Sequence, residues 1–150
     1  MRDLSLHIID IAENSIRAGA DLIEIILAED EKNDRLTVEV IDNGKGMNPE
    51  ILKKASDPFY SGKDGKRIGL GLSMLAQAAR EADGEMEISS TPGQGTKVKA
   101  VFRSSHPDLK PIGEMAATVQ ALVVGNSEID FVFEYRRGLE ITRIDTREIK

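Results

Sequence analysis

Three glycine-bearing stretches punctuate the first two-thirds of this sequence: Asp42-Asn43-Gly44-Lys45-Gly46-Met47, then Gly69-Leu70-Gly71-Leu72, then Gly93-Gln94-Gly95-Thr96. Glycine clusters interrupt regular structure, so each stretch is read as a turn or an element boundary. Together they fix where the elements between them can lie. Leu4 to Ala18 has Leu4, Ile8, Ile11, Ala12 and Ser15 at helical spacing, with Gly19 as a stop. Leu22–Leu27 and Leu36–Ile41 are rich in Ile, Val and Leu and flank the charged turn Glu29–Arg35, which predicts a β-hairpin.

Asn43–Met47 is then a loop, and Asn48-Pro49-Glu50 starts a helix ending near Ser56, with Asn48 as its cap and Pro49 at its first position. Asp57–Ile68 is read as a mobile loop. Leu70–Ala82 is a second strong helix, with Gly84 just after its end. Glu85–Thr91 and Thr96–Phe102 form a hairpin around Pro92-Gly93-Gln94-Gly95. Ser104–Lys110 breaks the pattern and reads as a linker. An amphipathic helix follows over Ile112–Val123, then strands over Ile129–Tyr135 and Leu139–Ile144 joined at Arg136-Arg137-Gly138. The expected division is therefore a domain over 1–103 and a helix-plus-hairpin extension over 104–150 packed on it. That extension either continues the sheet and caps the core, or presents Phe131, Phe133, Tyr135 and the Arg136-Arg137 turn to a partner.

Composition narrows the function. A length of 150 residues suits one domain with a real core. Aromatics make up only 4%, so Ile, Leu, Val and Ala must build that core. A net charge of -6 argues against coating nucleic acid, which needs a basic face. Without cysteine there is no disulfide or thiolate metal site. No apolar run reaches membrane-spanning length, and Arg2 and Asp3 are unlike the start of a secretory signal. The expectation is a cytoplasmic protein with neither nucleic acid nor membrane as partner.

Asp42 closes an apolar strand and precedes two glycines. A carboxylate fixed there can accept a hydrogen bond from an exocyclic amine such as adenine's, with Gly44 and Gly46 letting backbone approach a flat ligand. Taken alone, the segment also reads as an ordinary Asp-Asn-Gly turn after a strand. Gly69-Leu70-Gly71-Leu72 opens a helix, whose unpaired N–H groups suit phosphate. Lys63, Lys66 and Arg67 lie just before it. The alternative is a solvated charged loop entering a helix. Asp10 and Asn14 share one face of the first helix, an arrangement fit for hydrated Mg²⁺ or for a plain solvated stripe. The chain has no P-loop pattern.

Taken jointly, these stretches are similar to the GHKL ATPase superfamily, which includes gyrase, heat-shock chaperone, histidine kinase and mismatch-repair ATPase domains. The resemblance covers about residues 1–103. Glu13-Asn14-Ser15-Ile16-Arg17-Ala18-Gly19-Ala20 resembles the first helix of the mismatch-repair branch. Asp57-Pro58-Phe59-Tyr60-Ser61-Gly62-Lys63, Gly69-Leu70-Gly71-Leu72-Ser73 and Pro92-Gly93-Gln94-Gly95-Thr96 resemble histidine-kinase catalytic domains. The resemblance implies a two-layer α/β sandwich, with helices on one face of a mixed, mostly antiparallel sheet. It implies ATP and Mg²⁺ as ligands. Asn14 would bind the metal, Asp42 would read the adenine amine, and Gly44, Gly46 and Met47 would line the base pocket. Phe59 and Lys63 would belong to a lid, with Arg67 beside it. Gly69, Leu70, Gly71 and Leu72 would hold phosphates, and Thr96 would support Asp42 from the next strand.

The sequence departs from that pattern in two ways. Hydrolytic members carry a Glu four residues before the metal Asn, as general base. Here Asp10 stands there, one methylene shorter, and base catalysis is sensitive to reach. Glu13 points about 100° away from Asn14 on an ideal helix. Histidine kinases also fuse this domain to helices bearing a phosphoacceptor His. Neither His7 nor His106 is expected to play that part, and His7 is expected as a polar neighbour of the pocket. Two readings of function follow. The first is a histidine-kinase-like enzyme, a slow ATPase or a kinase whose acceptor is another protein, with Asp10 as the catalytic carboxylate. The second is a nucleotide-controlled binding regulator, anti-sigma-like, with little or no turnover.

Overall fold

A computed structural model describes residues 4–55, 70–105 and 115–148. In chain order the elements are α1 (Leu4–Arg17), β1 (Leu22–Asp30), β2 (Arg35–Asp42), α2 (Pro49–Ala55), α3 (Leu70–Glu81), β3 (Glu85–Thr91), β4 (Gly95–Arg103), α4 (Met115–Gly125), β5 (Asp130–Arg137), β6 (Glu140–Asp145) and a short 3₁₀ turn over Thr146–Glu148. The six strands form one sheet in the order β3-β4-β2-β1-β5-β6. β1 and β5 run parallel, and every other neighbouring pair is antiparallel. This is the expected two-layer α/β sandwich on a mixed, mostly antiparallel sheet.

Alternation puts one stripe of each strand on the same face. Ile25 pairs with Val40 and Phe133, Val40 with Val98, and Val98 with Ile88. Ile25, Val40, Val98 and Phe133 join Leu4, Ile8, Ile11, Leu75, Ala79, Val119 and Leu122 from the helices in a single core, with Ile88 packed against it. Across that face α3 lies over β3 and β4, α1 over β2, and α4 over β5, with α1 touching both other helices. Burial of this apolar stripe is the main favourable term holding the two layers together.

The expected boundaries need several corrections. β1 extends three residues past Leu27, so the first turn shrinks to residues 31–34. Asp34 takes a left-handed φ of 53° there. α3 ends at Glu81, one residue before the expected Ala82. Asp83 adopts the left-handed φ of 55°, and Asp83 N–H and Gly84 N–H donate to Arg80 and Ala79 carbonyls at 3.2 and 2.7 Å. At Gly84 a Cβ would stand 1.7 Å from the Val101 oxygen. Asn48 does occupy the cap of α2, its carbonyl accepting from Leu52 N–H at 2.9 Å. The linker is pinned at its start. Ser104 N–H donates to the Asp34 carbonyl, and Ser105 donates to its carboxylate from both backbone and hydroxyl.

β5 inserts beside β1, so the C-terminal hairpin continues the sheet. Phe131 and Phe133 are buried in the core and are not offered to a partner. The hairpin carries its own charge cluster. Glu134, itself buried, meets Arg136 and Arg143, and buried Asp145 meets Arg143 and Arg147. The side-chain hydrogen bonds from Arg147 hold the Asp145 carboxyl down at about 2, below its usual 3.8. No described helix is long and apolar enough to cross a membrane.

Candidate functional site

One step beyond the apolar stripe, the same face of the sheet turns polar. Ser90 pairs with Thr96, and Thr96 pairs with Asp42, in one row across β3, β4 and β2. Period-two alternation therefore aims Asp42 into the layer between sheet and helices. Two donors fix its carboxylate. Ser15 of α1 donates its hydroxyl to Oδ2 at 2.6 Å, and Gly44 N–H donates to Oδ1 at 2.9 Å. Ser15 is buried, at 3% exposure, and its other acceptor, the Ile11 carbonyl, lies at 3.4 Å. A hydroxyl has one proton, and the short charge-assisted bond takes it.

The loop after Asp42 is stapled at both ends. Asn43 Oδ1 accepts from the N–H groups of Asp21 and Leu22 at 3.0 Å each, and Lys45 N–H donates to the Ala18 carbonyl at 2.9 Å. The Lys45 carbonyl accepts from Gly93 N–H at 2.7 Å. Gly46 has a φ of 71°, and a Cβ there would stand 2.2 Å from the Thr91 oxygen. Gly46 lets the 43–47 loop dock on the β3–β4 turn. Ser90 is the hub of that contact. Its hydroxyl accepts from Met47 N–H at 2.7 Å, lies 3.0 Å from the Gly95 carbonyl, and lies 2.8 Å from the Thr96 hydroxyl. A carbonyl only accepts, so Ser90 spends its proton on Gly95 and Thr96 donates to Ser90. Thr96 thus stands across from Asp42 in register, while the donors that hold Asp42 are Ser15 and Gly44. Met47 is half-buried against the core.

The two flanks of α1 face different ways. Ile9, Glu13, Ile16 and Arg17 line a groove against α4 with Thr118, Ala121, Leu122 and Asn126, a cavity of about 340 Å³. Asp10 and Asn14 lie about 100° round the helix from Ile9 and Glu13, and both are half-buried. Ser15 follows Asn14 directly, so the helix that carries the proposed metal ligand is also bonded to Asp42. The Asn14 Oδ1 accepts from Arg17 at 3.3 Å, and Arg17 also pairs with exposed Glu13 at 3.7 Å. Among the described residues no group of three His, Cys, Asp or Glu side chains converges on a metal position. A magnesium site needs fewer, since phosphates and water complete its shell.

Leu70 and Gly71 open α3, and Leu72 is buried in the core at 6% exposure, so only its backbone can meet a ligand. Phe59, Lys63, Arg67 and Gly69, expected in the lid and phosphate loop, lie outside the described residues, as does His106. His7 is buried on α1 at 3% exposure. Ser15, Asn43 and Ser90 were not singled out from the sequence as site residues. Ser15 was legible as a core-facing helix position, and only its contact with Asp42 reveals the second role.

Comparison with known proteins gives the family and the fold. The family described as histidine kinase-, DNA gyrase B- and HSP90-like ATPase matches residues 2–106. Sensor histidine kinase YxdK of Bacillus subtilis (strain 168) is 32% identical over 106 residues, covering 66% of this chain and 32% of that protein. Sporulation kinase C of the same organism is 34% identical over 94 residues, covering 63% of this chain and 22% of that protein. The chain thus spans about a third or less of these relatives. The Aquifex aeolicus MutL ATPase domain complexed with ADP superposes with a TM-score of 0.54 at 18% identity, over 89% of this chain and 60% of that one, which shows a shared fold. On the family match across most of its length, the chain belongs to the histidine kinase-, DNA gyrase B- and HSP90-like ATPases.

Proposed function

We propose that this chain binds ATP with Mg²⁺ and acts as a slow ATPase or passes phosphate to a partner protein. The observation that carries the reading is the Asp42 carboxylate. It is aimed between sheet and helices and oriented by Ser15 and Gly44, with lone pairs left to accept an exocyclic amine. Asn14 would hold the metal through its amide oxygen, exchanging the Arg17 donor for the ion. Magnesium would neutralise phosphate charge there. Phe59, Lys63 and Arg67 are assigned to the lid, and Gly69 to Leu72 to the phosphates, on the family resemblance. Residues 104–150 are taken as an extension of the same domain, supported by the β1–β5 pairing and by Asp130 N–H donating to the Asp21 carbonyl at 2.8 Å. The absence of a described membrane-crossing helix is compatible with a cytoplasmic setting.

ATP-binding calorimetry with and without Mg²⁺ tests the pocket. Asp42→Ala is expected to weaken ATP by at least about ten-fold, the worth of one hydrogen bond to a charged group. Equal affinity of the two proteins refutes the assignment. Asp10 supports a second reading. Its side chain is one methylene shorter than the usual base, which favours a nucleotide-controlled regulator with little turnover. Steady-state ADP release from wild type and Asp10→Asn separates the two. The enzyme reading expects slow release that the substitution lowers further, and the regulator reading expects no release above background from either.

A further inference from the structure

The geometry points to Ser15 as a positioning residue that sets base selectivity through Asp42. The inference rests on the reading of Asp42 given above. Ser15 and Asp42 are 27 positions apart, and their hydrogen bond is a direct side-chain link between α1 and the end of β2. Burial of Ser15 keeps water from replacing its hydroxyl. The Gly44 N–H holds only Oδ1, so a carboxylate deprived of Ser15 keeps one anchor and gains freedom about its Cβ–Cγ bond. A carboxylate accepts in any rotamer, but one that rotates must be ordered again to meet a donating base edge, so its preference for that edge over an accepting one narrows. A site built to bond one polar group discriminates strongly only while its own group is fixed. Ser15 acts at one remove, and Asp42 is the group that touches the base.

The test compares ADP with inosine diphosphate, which bears a carbonyl oxygen where adenine bears its amine. Metal is omitted, so Asn14 does not enter. Wild type is expected to prefer ADP. In Ser15→Ala the affinity for ADP falls roughly ten-fold while that for inosine diphosphate changes little, so the preference shrinks by about that factor. Ser15→Cys, which retains a weak donor, gives an intermediate preference and supplies the measurement if the alanine variant does not fold. A purely structural role lowers both affinities together, and an unchanged ADP preference in the folded variant overturns the proposal. Asp42→Ala run in parallel distinguishes the two failures. If it leaves the preference intact, the reading of Asp42 is wrong. If it abolishes the preference and Ser15→Ala does not alter it, only the role of Ser15 is lost.

Discussion

The backbone of Gly46 lies against the carbonyl of Thr91 so closely that a methyl group at position 46 would overlap the oxygen, at 2.2 Å. The contact involves backbone on the Thr91 side, which cannot rotate away, and the φ of 71° adds strain for any L side chain. Gly46→Ala is therefore expected to cost about 2–4 kcal/mol, lowering Tm by roughly 5–12 °C in a domain of this size. Gly93→Ala is the control, because a Cβ there meets nothing within 4 Å and only the left-handed φ of 80° opposes it. Its cost is expected near 1 kcal/mol. Urea unfolding of both variants checks the difference, and equal losses would show that close approach at Gly46 is unimportant.

Ser90 holds the same junction from the sheet side. Ser90→Ala leaves the half-buried Met47 N–H and the Thr96 hydroxyl without their acceptor and the Gly95 carbonyl without its donor. Water reaches part of this region, so the expected loss is about 1–3 kcal/mol rather than the sum of three bonds. Thermal unfolding measures it. A Tm within a degree of wild type contradicts the hub role.

Asn14 separates metal from nucleotide. Asn14→Ala is expected to weaken ATP by about ten-fold with Mg²⁺ and to leave metal-free binding within about two-fold, since its amide oxygen is assigned to the ion alone. Calorimetry in magnesium and in chelator gives both values. A loss of the same size in chelator would move Asn14 from the metal to the nucleotide.

Acid stability follows Asp145. Its carboxyl sits at about 2 in the folded chain, against a usual 3.8, chiefly because Arg147 donates to it. A depressed carboxyl contributes stability above its unfolded pKa, and that contribution disappears as pH falls through the folded value. Asp145→Asn should therefore melt below wild type at pH 6, with the gap closing between about pH 4 and pH 2. Melting curves across that range check the sign, and a gap that widens on acidification would contradict it.

Much of this architecture was legible because it is local. The β1–β2 and β3–β4 hairpins follow from apolar runs separated by charged or glycine-bearing turns, and α1 follows from its periodic Leu and Ile. The order of strands was not legible, since parallel pairing of β5 with β1 joins segments about a hundred residues apart. The site divides in the same way. Asp42, Asn14 and the glycines announce themselves by residue type and spacing. Ser15 and Ser90 do not, because one sits on an apolar helix stripe and the other in a strand without apolar alternation at that end. Their roles come from hydrogen bonds that exist only after α1 and β3 are packed.

The parallel strand β5 also sets where this protein can be cut. The family match ends at residue 106, yet β5 pairs with β1 from Leu22 to Glu29, all but its last residue. A fragment ending at the family boundary would bare a long, Ile-rich strand edge, with the N–H and C=O groups that face β5 unpaired. Such an edge recruits other chains, so that fragment should precipitate or self-associate where the full chain stays dispersed.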